Sequence, residues 1–160
     1  MSKKQLMEEL FYIAALTAAF FFLCWPVKIE GGSMENTLES GDRVALSRVM
    51  RFDTFLSNGD VIYCRLGGND VIKRIIASPH QKIVIDDNKV YVDGVLLDEE
   101  YTNGKTYGKI SMTLGDDEYF IMGDHRSTSV DSRTLGVVRS EDIIGRVMFR
   151  WLPITSFSVL

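Results

Sequence analysis

The sequence predicts a mostly β protein, with an antiparallel sheet or barrel-like domain preceded by one N-terminal transmembrane helix. Two observations carry this prediction. An uncharged run of 18 residues lies between charged flanks near the start of the chain, and short β-branched segments separated by turn dipeptides fill the remainder. We therefore expect a short cytoplasmic tail over residues 1–9, a transmembrane anchor over 10–27 and a β-rich domain over 28–160.

The uncharged run extends from Leu10 to Val27. As a helix it would be about 27 Å long, close to the roughly 30 Å of bilayer hydrocarbon. Lys3 and Lys4 precede it, which favours an inside amino terminus. The sequence thus predicts a single-pass protein of the plasma membrane, in contact with lipid, whose C-terminal domain is extracytoplasmic. Two alternative interpretations of the run are less favoured. A cleavable signal peptide would end in a small-x-small cleavage site, and a buried core helix would need more surrounding protein than this chain supplies.

Short strands follow the anchor at regular spacing. The clearest stretch is KIVIDDNKVYVDGVLLDEE, where Asp-Asn and Asp-Gly signals separate strands at 83–85, 90–92 and 95–97. Further strands are predicted at 43–49, 61–65, 71–76, 109–114, 118–122 and 144–151. Residues 50–56 are expected to hold a turn or two of helix. Many short strands favour an antiparallel sheet or barrel over parallel βαβ units.

The composition excludes several classes of function. The 160 residues carry 18 basic and 22 acidic side chains, a net charge of −4, so no cationic field is available to bind nucleic acid. The two cysteines, Cys24 and Cys64, form no CxxC pair, and His80 and His125 are the two histidines. A metal site therefore has no supporting spacing, and no cofactor is expected.

The first candidate catalytic segment lies just after the anchor, where Gly31 and Gly32 precede Ser33. Glycines allow positive φ angles and close approach of another chain, which suits an exposed nucleophile with free neighbouring amides. A flexible linker is the alternative interpretation, because Gly-Gly-Ser is also typical of linkers.

The second candidate is Lys73 in the predicted strand 71–76. Strand alternation places Lys73 on one face with Val71 and Ile75. Burial among aliphatic side chains lowers a lysine pKa, and a neutral amine can accept a proton from a serine hydroxyl. A lysine that protects an edge strand from aggregation is the alternative interpretation.

The third candidate is the polar segment 122–136, which is dense in alternating charges and hydroxyls. Ion pairs such as Asp131 with Arg133 would hold a site rigid. A solvated surface loop is the alternative interpretation.

Taken in this order, the segments resemble the motifs of type I signal peptidases, the membrane-anchored serine proteases that remove signal peptides from exported proteins. The matching motifs are Ser33-Met34-x-x-Thr37-Leu38, Gly41-Asp42-x-Val44, Ile72-Lys73-Arg74-Ile75-Ile76 and Gly123-Asp124-x-Arg126-x-x-Ser129-x-Asp131-Ser132-Arg133-x-x-Gly136. With the anchor they span most of the chain, and the compact length is similar to that of the Gram-positive members.

The resemblance implies catalysis by a Ser-Lys dyad. Ser33 would attack the scissile carbonyl, Lys73 would take its proton, and Ser129 would hydrogen-bond Lys73. The backbone N–H of Ser33 would stabilise the oxyanion together with a second donor. That second donor stays open, because Gly31 stands where some family members have a serine.

The resemblance also implies that exported preproteins bind extended between two strands, with small residues in shallow apolar pockets before the cut. The expected substrate-binding residues are Val27, Ile29, Gly31, Met34, Asp70, Val71 and Ile72. The residues expected to support the site structurally are Asp131, Arg133, Asp124 and Arg74.

Three departures from the family pattern lead to further hypotheses about the substrate and the function. Asn36 replaces the usual proline, residues 77–81 are Ala-Ser-Pro-His-Gln instead of Gly-Leu-Pro-Gly-Asp, and His125 replaces asparagine. They resemble divergent relatives that accompany pilus assembly, some of which lack the catalytic pair, so pilins are candidate substrates. A non-catalytic factor or chaperone in pilus assembly is the second hypothesis. A Ser-His-Asp hydrolase that uses Ser33, His125 and Asp131 is the third.

Overall fold

A computed structural model describes residues 2–49 and 56–160 of the chain, and within helix α1 and strand β1 the side chains of residues 18–24 lie outside this description. The predicted helical turn at 50–56 falls on residues 50–55 and is likewise outside the described part.

The chain begins with helix α1, Lys3–Leu23, which is followed directly by strand β1, Cys24–Lys28. The sequence placed the end of the helix at Val27, and this boundary is wrong by four residues. Pro26 lacks the N–H that a helix interior needs and favours an extended residue before it, and the segment pairs with a neighbouring strand instead. Among the residues described in full, none of the helices combines the length and hydropathy of a membrane span. Residues 18–24 of the predicted anchor lie outside that set.

In the rest of the described chain, β-strands make up most of the regular structure. The further elements are β2 Arg43–Ser47, β3 Val61–Leu66, β4 Asn69–Ala77, β5 Lys82–Asp86, β6 Lys89–Val92, β7 Val95–Leu96, β8 Ile110–Thr113, β9 Glu118–Met122, α2 Ser132–Leu135, β10 Val138–Arg139, β11 Ile143–Leu152 and β12 Ser158–Val159. Every predicted strand is therefore present. The sequence missed β1, which is part of the apolar run, and β10 and β12, which are too short to show alternation.

The strands form two antiparallel sheets, as predicted. The larger has the order β1-β2-β11-β3-β4-β9-β10, with β12 paired to β11, and the smaller has the order β7-β6-β5-β8. Neighbouring strands in both sheets run antiparallel. The long strand β11 lies in the middle of the larger sheet and brings β2 and β3 together although they are separated in sequence.

Two free strand edges position the functional site. Strand β1 is the last strand at one end of the larger sheet, so its outer edge is open. Strand β4 pairs with β9 only from Arg74 onwards, and residues 70–72 pair with β3 alone among the described strands. The chain between β1 and β2 forms a turn that is anchored by two buried side chains, Met34 and Leu38, in a core cluster shared with β2 and β3. That turn carries Ser33.

Candidate active site

Ser33 lies in an ordered turn, so the linker interpretation of Gly-Gly-Ser is wrong. Gly31 has a φ of +85°, a conformation that glycine adopts without strain. The N–H of Glu35 donates to the carbonyl of Gly32 over 3.1 Å, and the N–H of Leu38 donates to the carbonyl of Met34 over 2.8 Å. These bonds, together with the burial of Met34 and Leu38, fix the backbone around Ser33.

Lys73 reaches the hydroxyl of Ser33 from strand β4. Its Nζ lies 2.6 Å from Ser33 Oγ and 3.2 Å from the carbonyl oxygen of Ile72. The lysine is only 3% exposed, which is decisive against the interpretation as an exposed edge-strand lysine. Burial lowers the pKa of Lys73, an effect that the more distant carboxylates of Asp131 and Asp124 partly oppose.

Cys64 is a second buried reactive group near this lysine. The thiol is free and fully buried, and burial raises its pKa to about 12. A thiol with so high a pKa stays protonated at neutral pH, and only the thiolate is strongly nucleophilic. The hydroxyl of Ser33, which the Lys73 amine contacts, is therefore the candidate nucleophile.

The segment after β9 packs tightly against the Ser33 turn. The N–H of His125 donates to the carbonyl of Ser33 over 3.1 Å. A Cβ atom on Gly123 would lie 2.5 Å from the Ser33 carbonyl oxygen and 2.3 Å from Ser129 Oγ, so no larger residue fits there. Gly123 thus allows three segments of the chain to meet, a role that the sequence pattern did not reveal.

The predicted ion pair of Asp131 with Arg133 is confirmed. Arg133 donates to both carboxylate oxygens at 2.8 Å, and the N–H of Gly123 donates to Asp131 over 3.0 Å. Asp131 also caps helix α2. Although burial alone would raise the pKa of this carboxyl, Arg133 and the Gly123 amide outweigh it and hold the pKa below its usual value. The solvated-loop interpretation is therefore wrong for this part of the segment.

A second ion pair joins the other two predicted supporting residues. Arg74 donates to both oxygens of Asp124, at 2.9 Å from Nε and 2.6 Å from Nη2. Asp124 is fully buried and also accepts from the hydroxyl of Thr37 in the nucleophile turn. This network ties β4, which carries Lys73, to the turn that carries Ser33.

The sequence missed a third pair that extends the network. Arg126 is buried and donates to Glu99, and the ring of Tyr101 lies 4.1 Å from the guanidinium carbon of Arg74. Arg126 belongs to a motif of the resembled family, but Glu99 and Tyr101 lie in a segment without any strand pattern. These two residues could be identified only from their contacts with residues far away in the chain, and a single sequence does not reveal such contacts.

Ser129 does not make the hydrogen bond to Lys73 that the resemblance implied. Its Oγ is buried beside Gly123 and has no hydrogen-bond partner of regular geometry among the described residues, although it contributes to the lowered pKa of Asp131. Ser129 is held against Gly123 by the loop that Asp131 and Arg133 fix, whereas Lys73 is directed towards Ser33.

The geometry contradicts a Ser-His-Asp triad. The His125 ring pairs with Glu35, with Nδ1 and Oε2 3.0 Å apart, and Asp131 is engaged by Arg133. The group in contact with the Ser33 hydroxyl is the Lys73 amine. His125 contributes its backbone N–H to the Ser33 carbonyl instead.

A groove leads away from Ser33 between the free edges of β1 and β4, with a volume of about 240 Å³. It brings together all seven residues predicted to bind substrate. It is lined by Val27, Lys28, Ile29, Glu30, Gly31, Ser33, Met34, Tyr63, Asp70, Val71 and Ile72. The sequence missed Tyr63, because its place opposite Ile72 depends on the pairing register of β3 with β4.

Comparison with known proteins identifies the family. The family model described as signal peptidase, peptidase S26, matches residues 3–152. The chain belongs to this family. Signal peptidase IB of Staphylococcus aureus is 30% identical over 179 residues, with 97% of this chain and 94% of the relative covered. A probable signal peptidase I-1 of Synechocystis is 34% identical over 151 residues, with 88% and 77% covered.

A solved structure of a signal peptidase also resembles the fold of this chain. A crystal structure of a signal peptidase I from Enterococcus faecalis superposes with a TM-score of 0.52 at 26% identity, over 57% of this chain and 95% of that chain. The family assignment makes the chain a hydrolase of the protease class, and the two antiparallel sheets are consistent with a signal peptidase domain.

Proposed function

We propose that this chain is a serine endopeptidase that removes signal peptides from exported proteins with a Ser33–Lys73 dyad. One observation carries the proposal: a buried lysine amine lies 2.6 Å from the hydroxyl of a serine in an ordered turn. The burial that lowers the lysine pKa favours the neutral amine, which is the form that accepts a proton.

In this mechanism Lys73 takes the hydroxyl proton as Ser33 Oγ bonds to the scissile carbonyl carbon. The negative charge that develops on the carbonyl oxygen is met by the backbone N–H of Ser33. Lys73 then returns the proton to the leaving amine, the peptide C–N bond breaks and an acyl-enzyme remains. Water attacks that ester as Lys73 accepts one of its protons. Lys73 then returns this proton to Ser33 Oγ as the ester C–O bond breaks and the carboxylic acid leaves.

The groove would bind the residues before the cut as an added strand. The outer edges of β1 and of residues 70–72 offer unpaired backbone groups to an extended peptide. Val27, Ile29, Met34, Val71 and Ile72 supply apolar walls. We assign substrate binding to the seven predicted residues on this basis.

Membrane attachment forms part of the proposal. The uncharged part of helix α1, from Leu10 to Leu23, would be the apolar segment of an N-terminal anchor in the plasma membrane, in contact with lipid. The domain from residue 28 onwards would then lie on the extracytoplasmic side, where exported preproteins emerge.

A restricted substrate set, such as pilins, is the specialised form of this proposal. The departures at residues 77–81 and at two motif positions, Asn36 and His125, support it. Asn36 has a φ of +95°, which a proline ring cannot adopt, so this turn differs locally from one that carries proline.

The proposal is tested with the full chain in detergent and a signal-peptide substrate. Ser33→Ala and Lys73→Ala should each lower kcat/KM at least about 10³-fold, because a nucleophile and its base act as a unit. His125→Ala is the matched control and should cost less than about tenfold, since its ring contacts Glu35. Full activity of Ser33→Ala, with a melting temperature like that of the wild type, would rule out the dyad. Absence of cleavage by the folded wild type would instead favour a non-catalytic assembly factor.

A further inference from the structure

A second pocket of about 250 Å³ adjoins the groove on the side away from Ser33. It is lined by Trp25, Leu46, Arg48, Tyr63, Asp70 and Ile144. Tyr63 and Asp70 line both the groove and this pocket. The two spaces are therefore adjacent, and a peptide that lies in the groove would pass next to the second pocket.

The position of the pocket defines which part of a substrate reaches it. Asp70 is three residues before Lys73 on β4, which is about 10 Å along an extended strand. The pocket lies beyond Asp70, so an extended peptide cut at Ser33 would place there a side chain about five residues before the cut. Trp25 follows the end of helix α1 at Leu23 by two residues, so the end of this helix is close to the pocket.

The lining combines apolar surface with two charged side chains, each of which has a contact within the protein. Leu46 and Ile144 provide aliphatic surface, and Trp25 is 52% exposed with the Arg48 guanidinium 5.0 Å from its ring centroid.

The Asp70 carboxylate, at the boundary between groove and pocket, accepts from the Tyr63 hydroxyl over 3.1 Å. It also lies 3.6 Å from Arg65. The Asp70 carboxylate is therefore already engaged, and burial against the apolar surface of the pocket favours an apolar ligand.

We propose that this pocket binds a large apolar side chain of the substrate, about five residues before the cleaved bond. The inference rests on the proposed peptidase function and extends it. The groove would hold the residues next to the cut, and the second pocket would select a large side chain further upstream. Trp25, Arg48 and Ile144 are then specificity-determining residues outside the catalytic pair.

The test uses the full chain in detergent and peptides that differ at one position. Leucine replaces alanine at position four, five or six before the cut, in an otherwise identical sequence. The wild type should prefer leucine by about tenfold in kcat/KM at one of these positions. Ile144→Trp fills the pocket and should reduce that ratio to about one. Val95→Trp, an exposed residue of β7, is the matched control and should keep the ratio.

A second variant at the same position tests the inference if Ile144→Trp does not fold. Ile144→Ala enlarges the pocket. When a peptide with phenylalanine at the same position is added to the series, this variant should prefer phenylalanine over leucine. The inference is overturned if the wild type cleaves all these peptides at one kcat/KM, or if Ile144→Trp keeps the leucine preference. Failure of the proposed function has a different signature: the wild type then cleaves none of the peptides, or Ser33→Ala cleaves them equally well.

Discussion

Gly123 shows how one residue without a side chain controls the site. A Cβ atom there would overlap the Ser33 carbonyl oxygen at 2.5 Å and Ser129 Oγ at 2.3 Å. One of these atoms belongs to backbone that Met34 and Leu38 hold in the core, so the turn cannot yield easily. The nucleophile and the loop after β9 can approach each other only because this position is glycine.

Gly123→Ala should therefore displace Ser33 and lower kcat/KM by at least about 100-fold, since a misplacement of about 1 Å costs roughly that much. Peptide cleavage and a thermal melt, measured together, check this expectation. Gly115→Ala is the matched control, because its new Cβ atom would meet only the flexible Glu118 side chain at 3.3 Å. Cleavage by Gly123→Ala at the wild-type rate would mean that the tight contact has no role in catalysis.

At the residue scale, the candidate nucleophile and base could be predicted from the residues next to them in the sequence. A lysine between Val71 and Ile75 and a serine after two glycines could be identified as candidates from pattern alone. The orientation of Ser129 could not, because it depends on the ion pair of Asp131 with Arg133 and on the packing against Gly123.

At the scale of elements, the loop after β9 depends on Asp131. This carboxylate caps helix α2, pairs with Arg133 and accepts the N–H of Gly123. Its pKa is lower in the folded chain than in the unfolded chain. Such a group stabilises the fold above its unfolded pKa of about 3.9, and this stabilisation is lost as the pH falls through the lower folded pKa.

Asp131→Asn should lower the free energy of unfolding by about 3 kcal/mol at neutral pH, because it leaves the Arg133 charge without its partner. The difference from wild type should shrink in acid, below the ordinary carboxyl range. Denaturant unfolding at pH values on either side of that range measures both effects. Asp86→Asn, in an exposed pair with Lys109, should change stability by less than about 1 kcal/mol. An equal loss for Asp131→Asn at both pH values would contradict this account.

The elements themselves were largely predictable, but not their limits. Turn signals and β-branched runs located the meander of β5, β6 and β7 directly. The change from helix to strand at Cys24 was not predictable from hydropathy, because the apolar run continues unbroken across it. There the pairing of β1 with β2 decides the conformation, and this pairing is a tertiary effect.

At the scale of the whole molecule, the larger sheet assembles a site from distant segments. Ser33 and Lys73 are 40 residues apart, and both meet a loop that begins at Gly123. The regular spacing of many short strands in the sequence predicted that the sheet is antiparallel. The strand order, with β11 between β2 and β3, follows from long-range pairing and could not be read from one sequence.

The central claim is that a buried, neutral Lys73 activates Ser33, and the pH dependence of kcat/KM tests it most directly. Burial lowers the pKa of Lys73 from its ordinary 10.5, and the deprotonated amine is the active form. The rate should therefore rise with pH, with its midpoint below 10.5 and unchanged in His125→Ala. A midpoint at or above 10.5, or one that disappears when His125 is replaced, would contradict the claim.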